Sequence, residues 1–346
     1  MKRLSKSFFG LLFTLALVLV LAACGNSESS DEKISTGNAE GGDEETYVIK
    51  VGHIAPEDHA FSKGLEEFTA AVEEATEGRV EFEVFGNGAL GGEVEVAEQV
   101  QLGALDMTLV TSGPVGNFVS DFSVLEMPFL FRDVEHVYAT LDGEVGQELM
   151  GKLDAAGFKA LGIWENGMRH IASNKAIKSP EDMKGLKIRT LENPIYIDMY
   201  SSLGADPTPI AFPELYTSLQ QGVVDSTDLS YAIMNTSKFY EVTDHFSEVG
   251  IYYASAPLLM NGDKFNSLPA DIQQILVEKG QEYAVRQREI SQEMEVDHIQ
   301  ALKDHGVTIV PIDEIDLEAF KASVEPVYEK YASNFGDLVE RIQAVE

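Results

Sequence analysis

The chain has 346 residues, of which 44% are hydrophobic, and its 25 Lys and Arg against 58 Asp and Glu give a formal net charge of -33. This length suits two domains better than a single core. So acidic a surface excludes nucleic acid and anionic membrane faces as binding partners, and any site for an anion must be built locally from particular arginines.

The N-terminal segment is typical of an exported lipoprotein. A basic start precedes an apolar run over residues 8–20, and small residues stand directly before the single cysteine, Cys24. This pattern predicts a signal peptide over residues 1–23 and a palmitate-type lipid anchor on Cys24, with an uncleaved membrane anchor as the alternative. Residues 24–45 are polar and predict a disordered tether, and one cysteine allows no internal disulfide.

Strands and helices alternate after the tether. The pattern of apolar residues predicts, in order, a strand over 46–51, a helix over 61–72, a strand over 80–84, a helix over 94–102 and a strand over 106–110. Such alternation is typical of a mostly parallel α/β sheet. Ligands of these sheets bind at the carboxyl ends of strands, so His53, just after the first strand, is a candidate binding residue.

A glycine-rich loop, Gly86–Gly91, matches the dinucleotide pattern G-x-G-x-x-G between a strand and a helix. We reject the match because an exported protein meets no nicotinamide pool, and because the preceding strand alternates with glutamates instead of being buried on both faces. We expect these glycines to provide positive φ angles or close backbone approach. The chain carries no zinc, P-loop or nucleophile motif, so we expect no enzyme, no metal and no cofactor.

Two segments, residues 100–106 and 219–225, repeat the pattern apolar-Gln-x-Gly-apolar-apolar-Asp where a helix is expected to run into a strand. Two related α/β units explain the repeat better than chance and predict two lobes with a cleft between them. A helix from Pro269 to about Gly306 would be on the order of 55 Å long, which is too long for one lobe, so we expect it to bridge both. The predicted lobes are residues 46–165 with about 255–290, and about 166–254 with 291–346.

Arg189 ends a short alternating strand, Gly185–Thr190, whose apolar residues point to one face and whose basic residues point to the other. The strand therefore presents a guanidinium at its carboxyl end, where α/β sheets bind ligands. A guanidinium grips a carboxylate through two parallel hydrogen bonds, which suits a small organic anion. A surface salt bridge is the alternative.

Other candidates surround this arginine in the sequence. Trp164 is expected at the end of a strand over 160–163, just before Arg169, where it fills the core or floors a ligand pocket. Phe212 lies in a proline-containing loop that enters a helix, and the N–H groups at a helix N-terminus favour anions.

Taken together, these segments resemble the solute-binding subunit of tripartite ATP-independent periplasmic (TRAP) transporters, of the type named for C4-dicarboxylate uptake. The resemblance covers nearly the whole chain after the tether, and its most specific parts are Asn87–Gly91, Leu125–Arg132, Ser179–Arg189, Leu203–Pro209 and Tyr216–Asp225. It implies two α/β lobes, bridged by a long helix, that close on the ligand. It also implies a membrane partner that moves the solute with an ion gradient.

The resemblance assigns roles to individual residues. It implies that Arg189 binds the ligand carboxylate, that Arg169 supports it and that Phe212 packs on the ligand. Asp228 matches the family's acid, and we expect it either to accept a substrate hydroxyl or to cap local backbone. The family usually continues Gly-Gln-Glu-Asn-Pro after the second repeat, with the Asn on the ligand, whereas this chain has Leu229 at that position. The missing amide disfavours a sialic acid or a sugar acid that needs it, and favours a smaller or partly apolar carboxylate.

The sequence therefore predicts a monomeric, lipid-anchored extracytoplasmic receptor that captures an organic acid for TRAP membrane subunits. A binding lipoprotein of an ATP-driven importer, a subunit that presents its ligand to a sensor kinase, and an exported enzyme are the alternatives. The sequence does not specify which acid is bound.

Overall fold

The computed structural model describes residues 45–346, so the predicted signal peptide, Cys24 and nearly all of the tether lie outside the described residues. The strands are β1 Tyr47–His53, β2 Val80–Phe85, β3 Met107–Leu109, β4 Phe158–Ser173, β5 Lys187–Thr190, β6 Asp206–Pro209, β7 Ser226–Leu229, β8 His245–Asn261 and β9 Thr308–Val310. The helices are α1 Ala60–Ala75, α2 Glu93–Gln101, α3 Ser112–Val115, α4 Val134–Asp142, α5 Glu144–Ala155, α6 Pro180–Met183, α7 Pro194–Ser202, α8 Phe212–Gln220, α9 Tyr231–Thr236, α10 Gly262–Ser267, α11 Ala270–Asp304, α12 Leu317–Ser323, α13 Glu325–Tyr331 and α14 Leu338–Gln343. Within this described part, no helix combines the length and apolar character needed to cross a bilayer.

The strands form one mixed sheet in the order β2-β1-β3-β8-β4-β7-β5-β6, with β9 paired to β8. Strands β1, β2 and β3 run parallel and form the first strand group, and β5, β6 and β7 run parallel and form the second strand group. The long antiparallel strands β4 and β8 join the two groups. This is the predicted α/β, two-lobed fold, with ligand-binding strand ends in each half.

Strands β4 and β8 are continuous, but their register shifts at three places: between Ala160 and Gly162, between Glu165 and Gly167, and between Arg169 and Ile171. Gly167 has a φ of 95°, which is accessible mainly to glycine. An irregularity of this kind bends and twists a strand pair locally. The two halves of the sheet therefore meet at a bend rather than in a loop.

The long helix α11 has 35 residues and bridges the two halves, as the sequence predicts. Near its middle, Arg286 pairs with Glu67 of α1 at 3.0 Å, and farther along His298 contacts Asn235 of α9 at 3.0 Å. Gly280 lets the helix approach β4 closely, because a Cβ at that position would lie 2.5 Å from the carbonyl oxygen of Leu161.

The structure corrects the expected position of Trp164 at a strand end. Strand β4 continues to Ser173, because the polar and glycine residues after Trp164 stay paired with β8. The indole is fully buried in an apolar cluster with Phe61 and Phe68. The repeated segments behave as predicted: Gly103 and Gly222 follow α2 and α8 with φ angles of 73° and 69°.

Candidate functional site

Arg189 lies at the carboxyl end of β5 and is only 2% exposed. Its Nε donates to the carbonyl oxygen of Ile210, in the loop before α8, at 2.8 Å. The two terminal nitrogens form no hydrogen bond or salt bridge with residues 45–346. Burial lowers the pKa of Arg189, but a guanidinium stays protonated in proteins. The forked end of a buried cation is thus left without an anionic partner from the described chain.

Arg169 and Asp228 form a buried ion pair on the neighbouring strands β4 and β7. Nε and Nη2 of Arg169 lie 3.2 Å and 3.1 Å from Oδ1 of Asp228. The hydroxyls of Tyr200 and Tyr252 donate to the same carboxylate at 2.7 Å and 2.9 Å. Both oxygens of Asp228 are therefore engaged by protein groups, whereas Nη1 of Arg169 is buried with no partner among the described residues.

A second buried carboxyl group, Glu126, stands close to this pair. The hydroxyl of Tyr196 donates to its Oε2 at 2.7 Å, and its Oε1 has no partner within the described chain. Burial raises the pKa of Glu126 to about 8, so the group is protonated at neutral pH. It adds no negative charge beside Arg169.

Two buried histidines lie at the first strand group. His53 ends β1 and its Nδ1 has no partner in residues 45–346, and His59 caps α1 by accepting the N–H of Phe61 on Nδ1 at 3.1 Å. Burial lowers the pKa of His53 to about 4 and that of His59 to about 3, so both are neutral. Burial is the main cause of the low pKa of His59, and the positive charge of Arg169 lowers it further.

Several other buried polar atoms lack a partner in the part of the chain that the structure describes: Trp164 Nε1, Asn166 Oδ1, Thr111 Oγ1 and Thr190 Oγ1. Asn166 lies at the irregularity in β4, Thr111 follows β3 and Thr190 ends β5. Buried polar groups in native proteins are almost always hydrogen-bonded. Thr111 and Thr190 thus add unpaired hydroxyl groups next to strand ends, whereas Trp164 and Asn166 add unpaired atoms within β4.

Phe212 begins α8 at the outer edge of this region. It is half-buried, its ring lies 5.9 Å from that of Phe239, and it lines a cavity of about 250 Å³ with Asn87 of the glycine loop. A Cβ added to Gly92 would lie 3.1 Å from the Cβ of Ala211. The loop after β2 and the loop before α8 are thus in close contact.

The structure pairs Arg169 with Asp228 and places Arg189 on β5, next to β7, which carries Asp228. His53 ends β1, Trp164 lies in the core beside the first strand group, and Phe212 begins α8. The residues that sequence reasoning missed include His59, Thr111, Asn166 and Thr190, which have unpartnered buried atoms, and Glu126, Tyr200 and Tyr252 around the ion pair. Thr111 follows a predicted strand and Thr190 ends one, so the sequence could have indicated both as candidate binding residues. Leu229 is fully buried in an apolar cluster with Leu215 and Phe239. Within residues 45–346, no group of His, Cys, Asp or Glu is arranged to hold a metal ion.

Comparison with known proteins gives a consistent family. The family described as bacterial extracellular solute-binding protein, family 7, matches residues 51–334. A solute-binding protein from Verminephrobacter eiseniae is 40% identical over 284 residues, which is 82% of this chain and 84% of that protein.

Solved structures agree with the family match. A TRAP periplasmic solute-binding protein from Polaromonas sp. JS666, bound to D-erythronate, has a TM-score of 0.84 and 38% identity over 87% of this chain and 99% of that one. A Bordetella TRAP periplasmic solute-binding protein, with density assigned to pantoate, has a TM-score of 0.83 and 34% identity over 87% of this chain and 100% of that one. This chain belongs to family 7 of the bacterial extracellular solute-binding proteins, the non-enzymatic receptors that bind small organic acids for TRAP transporters.

Proposed function

We propose that this receptor binds the carboxylate of its organic acid on the forked end of Arg189, with Nη1 of Arg169 as a second donor. The observation that carries the proposal is the buried Arg189 guanidinium, whose terminal nitrogens have no partner in residues 45–346. A buried charge without a counterion is costly, and a carboxylate that accepts two parallel hydrogen bonds removes that cost. Asp228 then serves to orient Arg169, because the protein engages both of its oxygens.

A comparison of acids with their primary amides tests this proposal. An amide has nearly the shape of the acid but no negative charge, so it cannot replace the carboxylate between two guanidiniums. In calorimetric titrations we expect the best-bound acid to lose at least a hundredfold in affinity when its carboxyl group becomes an amide. Equal affinity for the acid and the amide would show that the carboxylate is not the group recognised.

We further infer that the lobes are residues 46–165 with about 255–290, and about 166–254 with 291–346, and that they close on the ligand. Of the three register shifts between β4 and β8, the one at Glu165 and Gly167 lies at that boundary and supports a hinge there. The carboxylate of Glu165 accepts hydrogen bonds from Tyr253 at 2.7 Å and from Ser291 and Gln292 of α11 at 2.9 Å and 2.8 Å. These contacts support a hinge at which the bridging helix is attached.

We also propose that the mature receptor begins at a lipid-modified Cys24 and acts as a monomer on the outer face of the membrane. The support is the sequence alone: small residues before Cys24 and a polar stretch after it. Mass spectrometry of membrane-extracted protein should find acyl chains on Cys24, and Cys24→Ser should abolish the modification. A wild-type chain recovered with its original Met1 terminus and no acyl group would contradict the anchor.

A further inference from the structure

We propose that Asn193 is a positioning residue that joins the two lobes when they close, and that this contact slows release of the bound acid. The inference rests on the two proposed lobes and their closure. The first lobe is the one that contains residues 46–165, and the second is the one that contains residues 166–254. The proposal is carried by three hydrogen bonds of the Asn193 side chain, which is buried and only 5% exposed.

The side chain of Asn193 bonds to both lobes. Its Oδ1 accepts the N–H of Ile195 at 3.0 Å and thereby caps α7 within the second lobe. Its Nδ2 donates to the carbonyl oxygen of Gly113 at 2.7 Å and to the hydroxyl of Ser123 at 2.9 Å, and both of these acceptors belong to the first lobe. An amide nitrogen has two N–H groups, so Asn193 uses both of them between the lobes.

These hydrogen bonds lie beyond strand ends that belong to different halves of the sheet. Gly113 is part of α3, which follows β3 of the first strand group. Asn193 follows β5 of the second strand group, shortly after Arg189. Ligands of α/β sheets bind beyond the carboxyl ends of the strands. The amide therefore connects the lobes on the side of the sheet where the ligand is expected, and its bonds form only when these two strand ends are close together.

Two neighbouring hydrogen bonds join the same segments. The hydroxyl of Tyr196, in α7, donates to Oε2 of Glu126 at 2.7 Å. Nδ2 of Asn117 donates to the carbonyl oxygen of Glu192 at 2.5 Å. The segment after β3 and the start of α7 therefore meet over several residues, with the buried side chain of Asn193 among them.

The packing of Gly113 shows how closely these segments approach. A Cβ added to Gly113 would lie 2.1 Å from the hydroxyl oxygen of Tyr196, and its next two contacts would be atoms of the same ring. Gly113 lies within the short helix α3, a backbone conformation that other residues also adopt. The missing side chain is therefore explained by contact with the second lobe rather than by the backbone of Gly113 itself.

The contact of Asn193 acts on the balance between the open and closed forms. In the open form, the carbonyl of Gly113 and the hydroxyl of Ser123 bond to water, whereas in the closed form both are buried and need the amide. Loss of the amide leaves two buried acceptors unsatisfied in the closed form alone, which costs more than the net value of the bonds. A ligand leaves a closed cleft only after it opens, so the cost appears as faster dissociation.

The variant Asn193→Ser tests this proposal. Serine caps a helix about as well as asparagine, so the variant keeps the cap of α7 and loses only the amide. The probes are succinate, malate, D-erythronate and D-glucuronate, and the acid that wild type binds most tightly is used for all variants. In calorimetric titrations and stopped-flow kinetics, we expect Asn193→Ser to bind this acid about tenfold more weakly, through faster dissociation at an unchanged association rate.

Asn261→Ser is the matched control. Asn261 is also a buried helix cap: its Oδ1 accepts the N–H of Lys264 in α10 at 2.8 Å. Its Nδ2 donates to the carbonyl oxygen of Val100 at 2.8 Å, but all of these groups lie within the first lobe. We expect Asn261→Ser to unfold at a lower temperature than wild type while its affinity and its dissociation rate stay unchanged.

Gly113→Ala provides a second, independent test. The added methyl group would meet Tyr196 of the second lobe, so it should hinder closure and weaken binding about tenfold without removing any hydrogen-bonding group. Wild-type affinity in both Gly113→Ala and a folded Asn193→Ser would overturn the proposal. So would a loss of affinity in Asn261→Ser equal to that in Asn193→Ser, or a loss in Asn193→Ser that comes from slower association.

Failure of the underlying closure gives a different result. If small-angle scattering of wild type shows no contraction at saturation with the acid, the lobes do not close and the proposal for the lobes is wrong. If wild type contracts while Asn193→Ser and Gly113→Ala bind and release the acid as wild type does, only the role of Asn193 is wrong.

Discussion

At the scale of single residues, the site depends on how each charge is compensated. Arg169 forms an ion pair with Asp228, and the hydroxyls of Tyr200 and Tyr252 donate hydrogen bonds to Asp228. The protein itself therefore holds this group in place. Arg189 donates one hydrogen bond within residues 45–346, from its Nε to the carbonyl oxygen of Ile210. This asymmetry is the basis for the proposal that Arg189 binds the ligand carboxylate and that Arg169 supports it.

Glu126 gives a prediction at this scale. Its pKa is about 8 in the folded protein and near 4.5 in the unfolded chain, so between these values only the folded state holds the proton. A raised native pKa stabilises the fold fully below about pH 4.5, and that contribution is lost as pH rises toward 8. Glu126→Gln keeps the acceptor for Tyr196 and does not titrate. When pH rises from about 5 to about 7, the free energy of unfolding of wild type should fall by up to about 3 kcal/mol more than that of the variant.

Denaturant unfolding of both proteins at the two pH values measures this difference. The buried histidines are common to both proteins, so their own pH dependence cancels in the comparison. The same loss of stability in wild type and Glu126→Gln would mean that Glu126 is ionised in the folded protein.

At the scale of secondary-structure elements, the sequence predicts most helices and strands, because apolar residues recur at their spacing and glycine or proline marks their ends. The glycines after α2 and α8, the long helix α11 and the short strand β5 were all visible in this way. The full length of β4 was not, because Glu165, Asn166 and Gly167 interrupt its apolar run and only pairing with β8 keeps them in the strand.

Contact between loops at the cleft mouth gives a prediction at this scale. Gly92 has an ordinary φ of -76°, so a larger side chain there strains no backbone, but it would meet Ala211 across the cleft. Gly92→Leu should therefore hinder closure, weaken ligand binding about tenfold or more, and reduce the ligand-induced decrease in the radius of gyration seen by small-angle scattering. The same substitution also changes the N-cap residue of α2, and we expect that change to lower the free energy of unfolding by about 1 kcal/mol.

Gly151→Leu is the control for this experiment. Gly151 is exposed in α5, and a Cβ there would meet nothing within 4 Å. We expect this control to bind ligand and contract as wild type does. Contraction and affinity at wild-type level in Gly92→Leu would refute closure at these loops.

At the scale of the whole molecule, the sequence predicts the class of ligand better than its identity. Three arginines are buried in residues 45–346, and Arg169 and Arg288 pair with Asp228 and Asp142, whereas Arg189 has no carboxylate partner there. The short strand that ends near Arg189 made this residue a candidate from the sequence. The buried tyrosines around Asp228 could not be predicted, because α7 and β8 bring them there from distant parts of the chain.

Calorimetric titration of Arg189 variants with the best-bound acid tests the central claim most directly. Arg189→Ala should weaken binding by on the order of 3 kcal/mol, about a hundredfold, because the desolvated carboxylate loses its partner. Arg189→Lys should fall between Ala and wild type, since it keeps the charge and loses the fork. Arg341→Ala, which removes a surface ion pair with Glu148, should bind as wild type does. Wild-type affinity in a folded Arg189→Ala variant would contradict the account.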